Sequence, residues 1–260
     1  LILFLKKIIL FIQAYYFKFK NNVKAQSFMN YAFTFNEIFN KKQYDFDVKD
    51  NMTIFDIGAN IGLFNLYVNS KSENVNVFSF EPVPNIFECL KFNTSKYKNS
   101  ICINKGLGDS NQIVNMNYIP NASALSSIKN FDKNKLSAHD EIYQKECGIF
   151  QNICKSFLNE QMQNPIKIKT IITTVSNIID KYQIKNIDVM KIDVEGFELN
   201  VLQGIRAEHF NIIKKIFIEI ENFNNNDSKN RIFNIFKKYN YSYKIIEDNC
   251  NWITVKAIKK

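Results

Sequence analysis

Histidine, paired cysteine and clustered arginine are what this 260-residue chain most lacks. Its two histidines, His139 and His209, are too few for most zinc centres. The five cysteines (Cys89, Cys102, Cys147, Cys154 and Cys250) are odd in number and form no Cys-x-x-Cys pair. That pattern argues against a disulfide framework and against a metal site. It fits a reducing compartment, in which a strand residue such as Cys102 serves as a small core hydrophobe. No arginine-rich stripe or aromatic-basic repeat accompanies the formal charge of +9, which argues against nucleic acid as a specific partner. The lysines are scattered, so the excess charge reads as a solvated surface.

A long uninterrupted apolar run is also missing. Leu1 to Phe19 is rich in Leu, Ile, Phe and Tyr, but Lys6 and Lys7 break it below the length that crosses a bilayer. No small-residue cleavage site marks it as a signal peptide. The first residue is leucine, as expected of a chain that lacks its natural start. The expectation is an apolar helix that either packs on the main domain or lies at a membrane surface, with packing favoured. The protein is accordingly expected to be cytoplasmic, with peripheral membrane contact through this segment left open.

What is present begins with Thr-Ile-Phe-Asp-Ile-Gly-Ala-Asn-Ile-Gly at 53–62, an apolar strand running into a glycine turn and then a helix. Gly58 suits a close backbone approach, and Gly62 lets the following helix sit near the strand. The spacing departs from Gly-x-Gly-x-x-Gly at Asn60 and Ile61, and an acid, Asp56, precedes the first glycine. A negative group there suits a cation better than a pyrophosphate. Glu81, at the end of the next apolar run, is placed to accept from both hydroxyls of a ribose. Acids at these two positions match the ammonium and sulfonium of S-adenosylmethionine on one side and its ribose on the other.

Four further landmarks follow: Phe-Glu-Pro-Val-Pro at 80–84, Gly-Leu-Gly-Asp at 106–109, Asn-Ala-Ser-Ala-Leu-Ser-Ser at 121–127 and Lys-Ile-Asp-Val-Glu-Gly-Phe-Glu at 191–198. In this order, over about 52–221, the chain resembles the FkbM-type family of S-adenosylmethionine-dependent methyltransferases. The resemblance implies a class I methyltransferase fold, Rossmann-like and doubly wound, with a mostly parallel seven-stranded sheet carrying one antiparallel strand. It also implies methyl transfer, commonly to a hydroxyl oxygen on a sugar or natural product. A glycan or related hydroxylated small molecule is therefore the expected acceptor. The alternatives are an RNA or protein methyltransferase, motivated by the positive charge, and a non-catalytic protein retaining the fold.

The coarse pattern agrees, alternating short strands with helices. Strands are expected near 52–57, 75–80, 100–104, 187–193 and 215–220, and helices near 61–70, 84–96, 175–183, 196–204 and 228–239. A closing hairpin pairs 242–247 with 252–258, while 112–119 and 166–173 are extended. Residues 1–50 read as a helical extension and 51–260 as the methyltransferase domain, with a polar, lysine-rich loop or lid at 129–165.

The expected cofactor contacts are Asp56, Gly58, Ala59, Asn60, Gly62, Glu81, Gly108 and Asp109, with Asp109 accepting from the adenine amino group and Gly108 letting the backbone approach the ring. Asn121, Ser123 and Ser126 are candidates for the cofactor or acceptor edge, although Ala122 and Ala124 stand where a more glycine-rich loop is expected. Asp193 and Glu195, at the mouth of the fourth parallel strand, are the catalytic candidates: Asp193 beside the methyl group, Glu195 as proton acceptor or orienting group. Glu195 could instead cap the helix starting near Gly196. The pair could also share a divalent ion with Glu219 or Glu221, although no metal is demanded. His139 is the alternative base, and His209, following a helix, is expected at the surface or at a helix carboxyl end.

Overall fold

The computed structural model describes residues 2–120, 126–128, 165–221, 226–248 and 252–260. Asn121, Ser123, His139, Cys147, Cys154, Cys250 and nearly all of the expected 129–165 loop lie outside these residues.

The chain opens with helix α1 (Ile2–Lys20) and helix α2 (Phe28–Phe35), which runs on into a π-helical turn over Asn36–Asn40. Ser27 starts α2 by accepting from the Asn30 amide. An alternating series follows: β1 (Thr53–Ile57), α3 (Leu63–Asn69), β2 (Asn76–Phe80), α4 (Pro84–Thr94) and β3 (Ser100–Ile103). Pro84 sits at the first helical position of α4, where its missing N–H costs nothing. Strands β4 (Gly106–Leu107), β5 (Gln112–Tyr118) and β6 (Ile166–Thr173) come next, then α5 (Val175–Tyr182), β7 (Val189–Ile192) and α6 (Glu198–Gln203). A 3-10 turn over Ala207–Ile212 leads to β8 (Lys215–Glu221), α7 (Asn226–Lys238), β9 (Tyr241–Asp248) and β10 (Trp252–Lys259).

The main sheet has seven strands in the order β3-β2-β1-β7-β8-β10-β9. Neighbours from β3 to β8 are parallel, and β10 is antiparallel to both β8 and β9. This is the expected doubly wound sheet with one reversed strand. A second sheet, β4-β6-β5, was not anticipated as a unit, because its strands are split by the long loop.

Strand alternation divides the core between the two faces. Phe55 and Ile57 join Ile178, Ile179, Leu202 and Phe236 of α5, α6 and α7. Ile54 faces the other way, toward Ala14, Tyr31 and Phe35 of α1 and α2 and Phe64 and Tyr67 of α3. Tyr44 and Phe46 belong to this second core and meet Phe64 and Phe217 edge-on or tilted. The N-terminal segment thus supplies part of the packing that covers one face of the sheet.

Candidate active site

The same alternation places charges where the flanking positions are apolar. Asp56 is in register with Ser79 on one side and Lys191 on the other, and Lys191 is in register with Phe217. Residues paired across a sheet share a face, so Asp56 and Lys191 are neighbours on the face covered by the N-terminal segment. Two residues further along each chain, Glu81, Gly58, Asp193 and Glu219 follow at the carboxyl edge. The site is therefore a short ladder of functional residues, built by register alone.

Lys191 is its hub. The ammonium lies 3.3 Å from Asp56 Oδ1 and 3.3 Å from Asp193 Oδ2, and donates to the Gly58 carbonyl at 3.0 Å. The rings of Tyr44 and Phe64 also face it, at 5.7 and 6.0 Å. Burial alone would lower its pKa, but the two carboxylates outweigh burial and hold it above the ordinary lysine value. Asp56 has no exposed surface, and its oxygens accept no well-aligned hydrogen bond despite the ion pair. The next two residues, Ile57 and Gly58, line a cavity.

That cavity, of about 170 Å³, opens at the carboxyl ends of β1, β2, β7 and β8. Gly58, Ala59, Asn60 and Glu81 line it, as do Gly106, Leu107 and Phe197, and the carboxylate-bearing residues Glu37, Asp193, Glu195 and Glu219. At the glycine turn the backbone is left-handed at Gly58 (φ 78°), Asn60 (φ 47°) and Gly62 (φ 90°). A Cβ on Gly58 would run into the Asp193 carbonyl, and one on Gly62 would come within 2.7 Å of Leu90. Glu81 is nearly buried and accepts from the Asn60 amide at 3.0 Å and the Val83 amide at 2.9 Å, one to each oxygen. Burial pushes its carboxyl up to about 7 in spite of those bonds.

At the opposite wall, Asp193 accepts from the Tyr44 hydroxyl at 3.3 Å. Glu219 accepts from Gln43 Nε2 at 2.8 Å, and the same amide donates to Thr254 Oγ1 at 3.2 Å. Burial first, then the charges of Asp193, Glu37 and Glu195, hold the Glu219 carboxyl well above the usual range. Burial likewise raises the Tyr44 phenol, reinforced by Asp193 and Glu219.

The structure separates other residues that the sequence groups together. Strand β7 ends at Ile192, and the turn comes one residue sooner than expected, with Glu195 (φ 52°) and Gly196 (φ 95°) both left-handed. Glu195 accepts the Ser127 hydroxyl at 2.7 Å through its backbone carbonyl. At the start of α6, Glu198 accepts from the Gly196 amide at 2.7 Å. Asp109 is exposed and accepts from Asn200 at 2.8 Å. Gly108 packs under Phe197 and Ile172, where a Cβ would come within 2.7 and 2.9 Å, and Ser126 lines the cavity while accepting from the Ile119 amide. For His209 the surface alternative is corrected: it is almost fully buried in the 3-10 turn, with Nδ1 2.9 Å from Ser176 Oγ. Among the described residues no set of three or more His, Cys, Asp or Glu side chains is arranged to hold a metal ion.

Sequence reasoning passed over Lys191, Tyr44 and Gln43 as site residues. A lysine within the apolar Val-Met-Lys-Ile strand and an aspartate within Thr-Ile-Phe-Asp-Ile are the available signal, since two opposite charges in buried strands require each other. Tyr44 and Gln43 carry no comparable mark.

The strand order and the glycine-turn cavity at its carboxyl edge define a class I methyltransferase fold. The pattern described as "Methyltransferase FkbM domain" matches residues 56–243, and the chain belongs to that family. It is a methyltransferase that uses S-adenosylmethionine. It is 29% identical over 199 residues to "Methyltransferase sdnD" of Sordaria araneosa, covering 72% of this chain and 73% of that one. Identity to "31-O-demethyl-FK506 methyltransferase FkbM" of Streptomyces tacrolimicus is 25% over 195 residues, covering 72% and 74%. Among solved structures, Aeropyrum pernix fibrillarin with natively bound S-adenosyl-L-methionine aligns at a TM-score of 0.43 and 10% identity, covering 83% of this chain and 70% of that one.

Proposed function

We propose that this chain methylates a hydroxyl oxygen on a glycan or a related hydroxylated small molecule. The observation that carries the reading is that Asp193, Glu195 and Glu219 line the same cavity as Glu81 and the glycine turn. A proton-accepting wall therefore faces the cofactor cradle. The printed name of the Streptomyces tacrolimicus relative places its methylation on an oxygen, which supports the same chemistry here.

The residues present suit S-adenosylmethionine. Each Glu81 oxygen already accepts one backbone amide and keeps a lone pair for a ribose hydroxyl. Leu107, Ile172 and Phe197 offer apolar walls of the kind an adenine ring needs, and the buried Asp56 carboxylate adds negative potential below the turn. Gly58, Ala59, Asn60 and Gly62 shape the turn, while Gly108 and Asp109 brace the neighbouring wall through Phe197 and Asn200. When bound, the cofactor supplies an electrophilic methyl group on a sulfonium.

The protein's share is to hold the acceptor oxygen and take its proton. Asp193 is tied to Lys191 and Tyr44, which fixes its direction, a positioning role. Glu195, in the turn after β7, receives the proton, with Glu219 on the same cavity wall. Incubation with labelled S-adenosylmethionine and a panel of hydroxylated glycans and natural-product scaffolds tests this, with the methylated atom located by NMR. Glu195→Gln should bind S-adenosylhomocysteine as the parent does and lose roughly 10²–10⁴-fold in turnover. Asp193→Asn should lose turnover without metal rescue. Methylation found on nitrogen, carbon or RNA instead would sink the reading.

A further inference from the structure

Helix α1 is apolar on two faces, and the fold uses only one. Ala14 is fully buried, and Phe11 and Phe17 pack against the second core, where Phe17 meets Phe35 and Phe39. The other side carries Ile9, Ile12, Tyr15, Tyr16 and Phe19, each between 51% and 79% exposed. Ile9, Ile12, Tyr16 and Phe19 recur at helical spacing, so they form one stripe. A helix that is apolar all round belongs in a core or at an apolar phase, not half in water.

The surroundings say which phase. No acidic residue precedes Glu37 in the sequence, whereas Lys18, Lys20 and Lys24 cluster at the carboxyl end of α1. The surface continues onto α4 and the segment after it. Lys96 Nζ donates to Asn21 Oδ1 at 3.3 Å, the Lys24 amide donates to Asn93 Oδ1 at 2.7 Å, and the Lys24 ammonium stands 3.7 Å over the ring of exposed Phe92. Lys96 thereby extends the same basic rim, with Glu88 the one acid of α4. No described helix is long and apolar enough to cross a membrane.

We infer that this face docks on an anionic lipid surface, with the α1 stripe entering the headgroup boundary and the lysine rim meeting the lipid phosphates. Aromatic and aliphatic side chains on one face with lysines beside them are the chemistry that such a surface selects. The inference is independent of which acceptor is methylated.

Flotation of the full chain with vesicles tests it, comparing phosphatidylcholine alone with phosphatidylcholine containing a minority of phosphatidylglycerol. Binding is expected on the anionic vesicles, weakening as salt rises. Each of Lys20→Gln and Lys96→Gln should reduce partitioning by about fivefold. Tyr16→Ser with Phe19→Ser should reduce it by roughly tenfold or more. All these variants should keep S-adenosylhomocysteine binding, which shows that they fold. Equal binding to neutral vesicles, no binding at all, or indifference to both sets of variants would overturn the inference. So would dimerisation in sedimentation that is abolished by Tyr16→Ser with Phe19→Ser while vesicles go unbound, because the face would then belong to a second copy.

Discussion

A buried lysine between two aspartates makes a sharp residue-scale prediction. In Lys191→Met the Asp56 carboxylate keeps its burial and loses the cation it pairs with, so it must hold a charge without that partner or take up a proton. Stability should fall by about 3–5 kcal/mol, and the loss should deepen as pH rises. Asp56→Asn combined with Lys191→Met should recover a large part of it, because an uncharged pair has no such penalty. Urea denaturation of the three proteins at two pH values checks both claims. If the double variant is no more stable than Lys191→Met alone, the ion pair is not what the strands are accommodating. The glycine turn, by contrast, was legible at this scale, since left-handed φ at Gly58 and Gly62 is what glycine permits and most residues resist. The partners of Asp56 were not, because a carboxylate in a strand advertises neither its face nor its register neighbour.

At the scale of elements, the parallel strands were readable because buried strands in a doubly wound sheet are short apolar runs between helices. Val189–Ile192 is buried at every position, and the helices around it begin at legible signals such as Pro84 and the Thr174 hydroxyl that accepts from Asn177. The pairing of β4, β5 and β6 was not readable, since it joins Gln112–Tyr118 to Ile166–Thr173 across a long polar stretch. The contribution of Gln43 and Tyr44 to the cavity was hidden in the same way, because it depends on a contact 149 residues apart in one case and 176 in the other. Removing residues 1–46 is therefore expected to expose Phe64 and Phe217, strip the cavity of one wall and lower the urea midpoint sharply. A shortened chain that unfolds at the parent midpoint and binds S-adenosylhomocysteine equally well would show the segment to be an appendage.

Across the whole molecule, the titrating groups divide into two sets with opposite signs. Asp188 is held below its ordinary pKa by the Lys214 ammonium and the Thr53 amide, which outweigh its partial burial. It stabilises the fold above the unfolded value near 3.8 and loses that contribution as pH falls further. Glu81 works the other way. Its carboxyl is raised from 4.5 to about 7, so the folded state holds a proton that the unfolded chain releases. That contribution is complete below about 4.5 and is lost as pH rises through about 7, an effect of up to roughly 3 kcal/mol. Cofactor-free protein should thus be most stable near pH 4–5 and decline toward 7. Glu81→Gln should flatten the decline. S-adenosylhomocysteine reverses the balance, because ribose hydroxyls donate best to the ionised carboxylate. Its affinity should rise from pH 6 to 8 in the parent and stay level in Glu81→Gln, with a proton released on binding near pH 6.5. Thermal melts and calorimetry in buffers of different ionisation enthalpy measure all three quantities. A parent affinity that is flat across this range would remove Glu81 from the ribose, leaving its two backbone amides as the whole of its role.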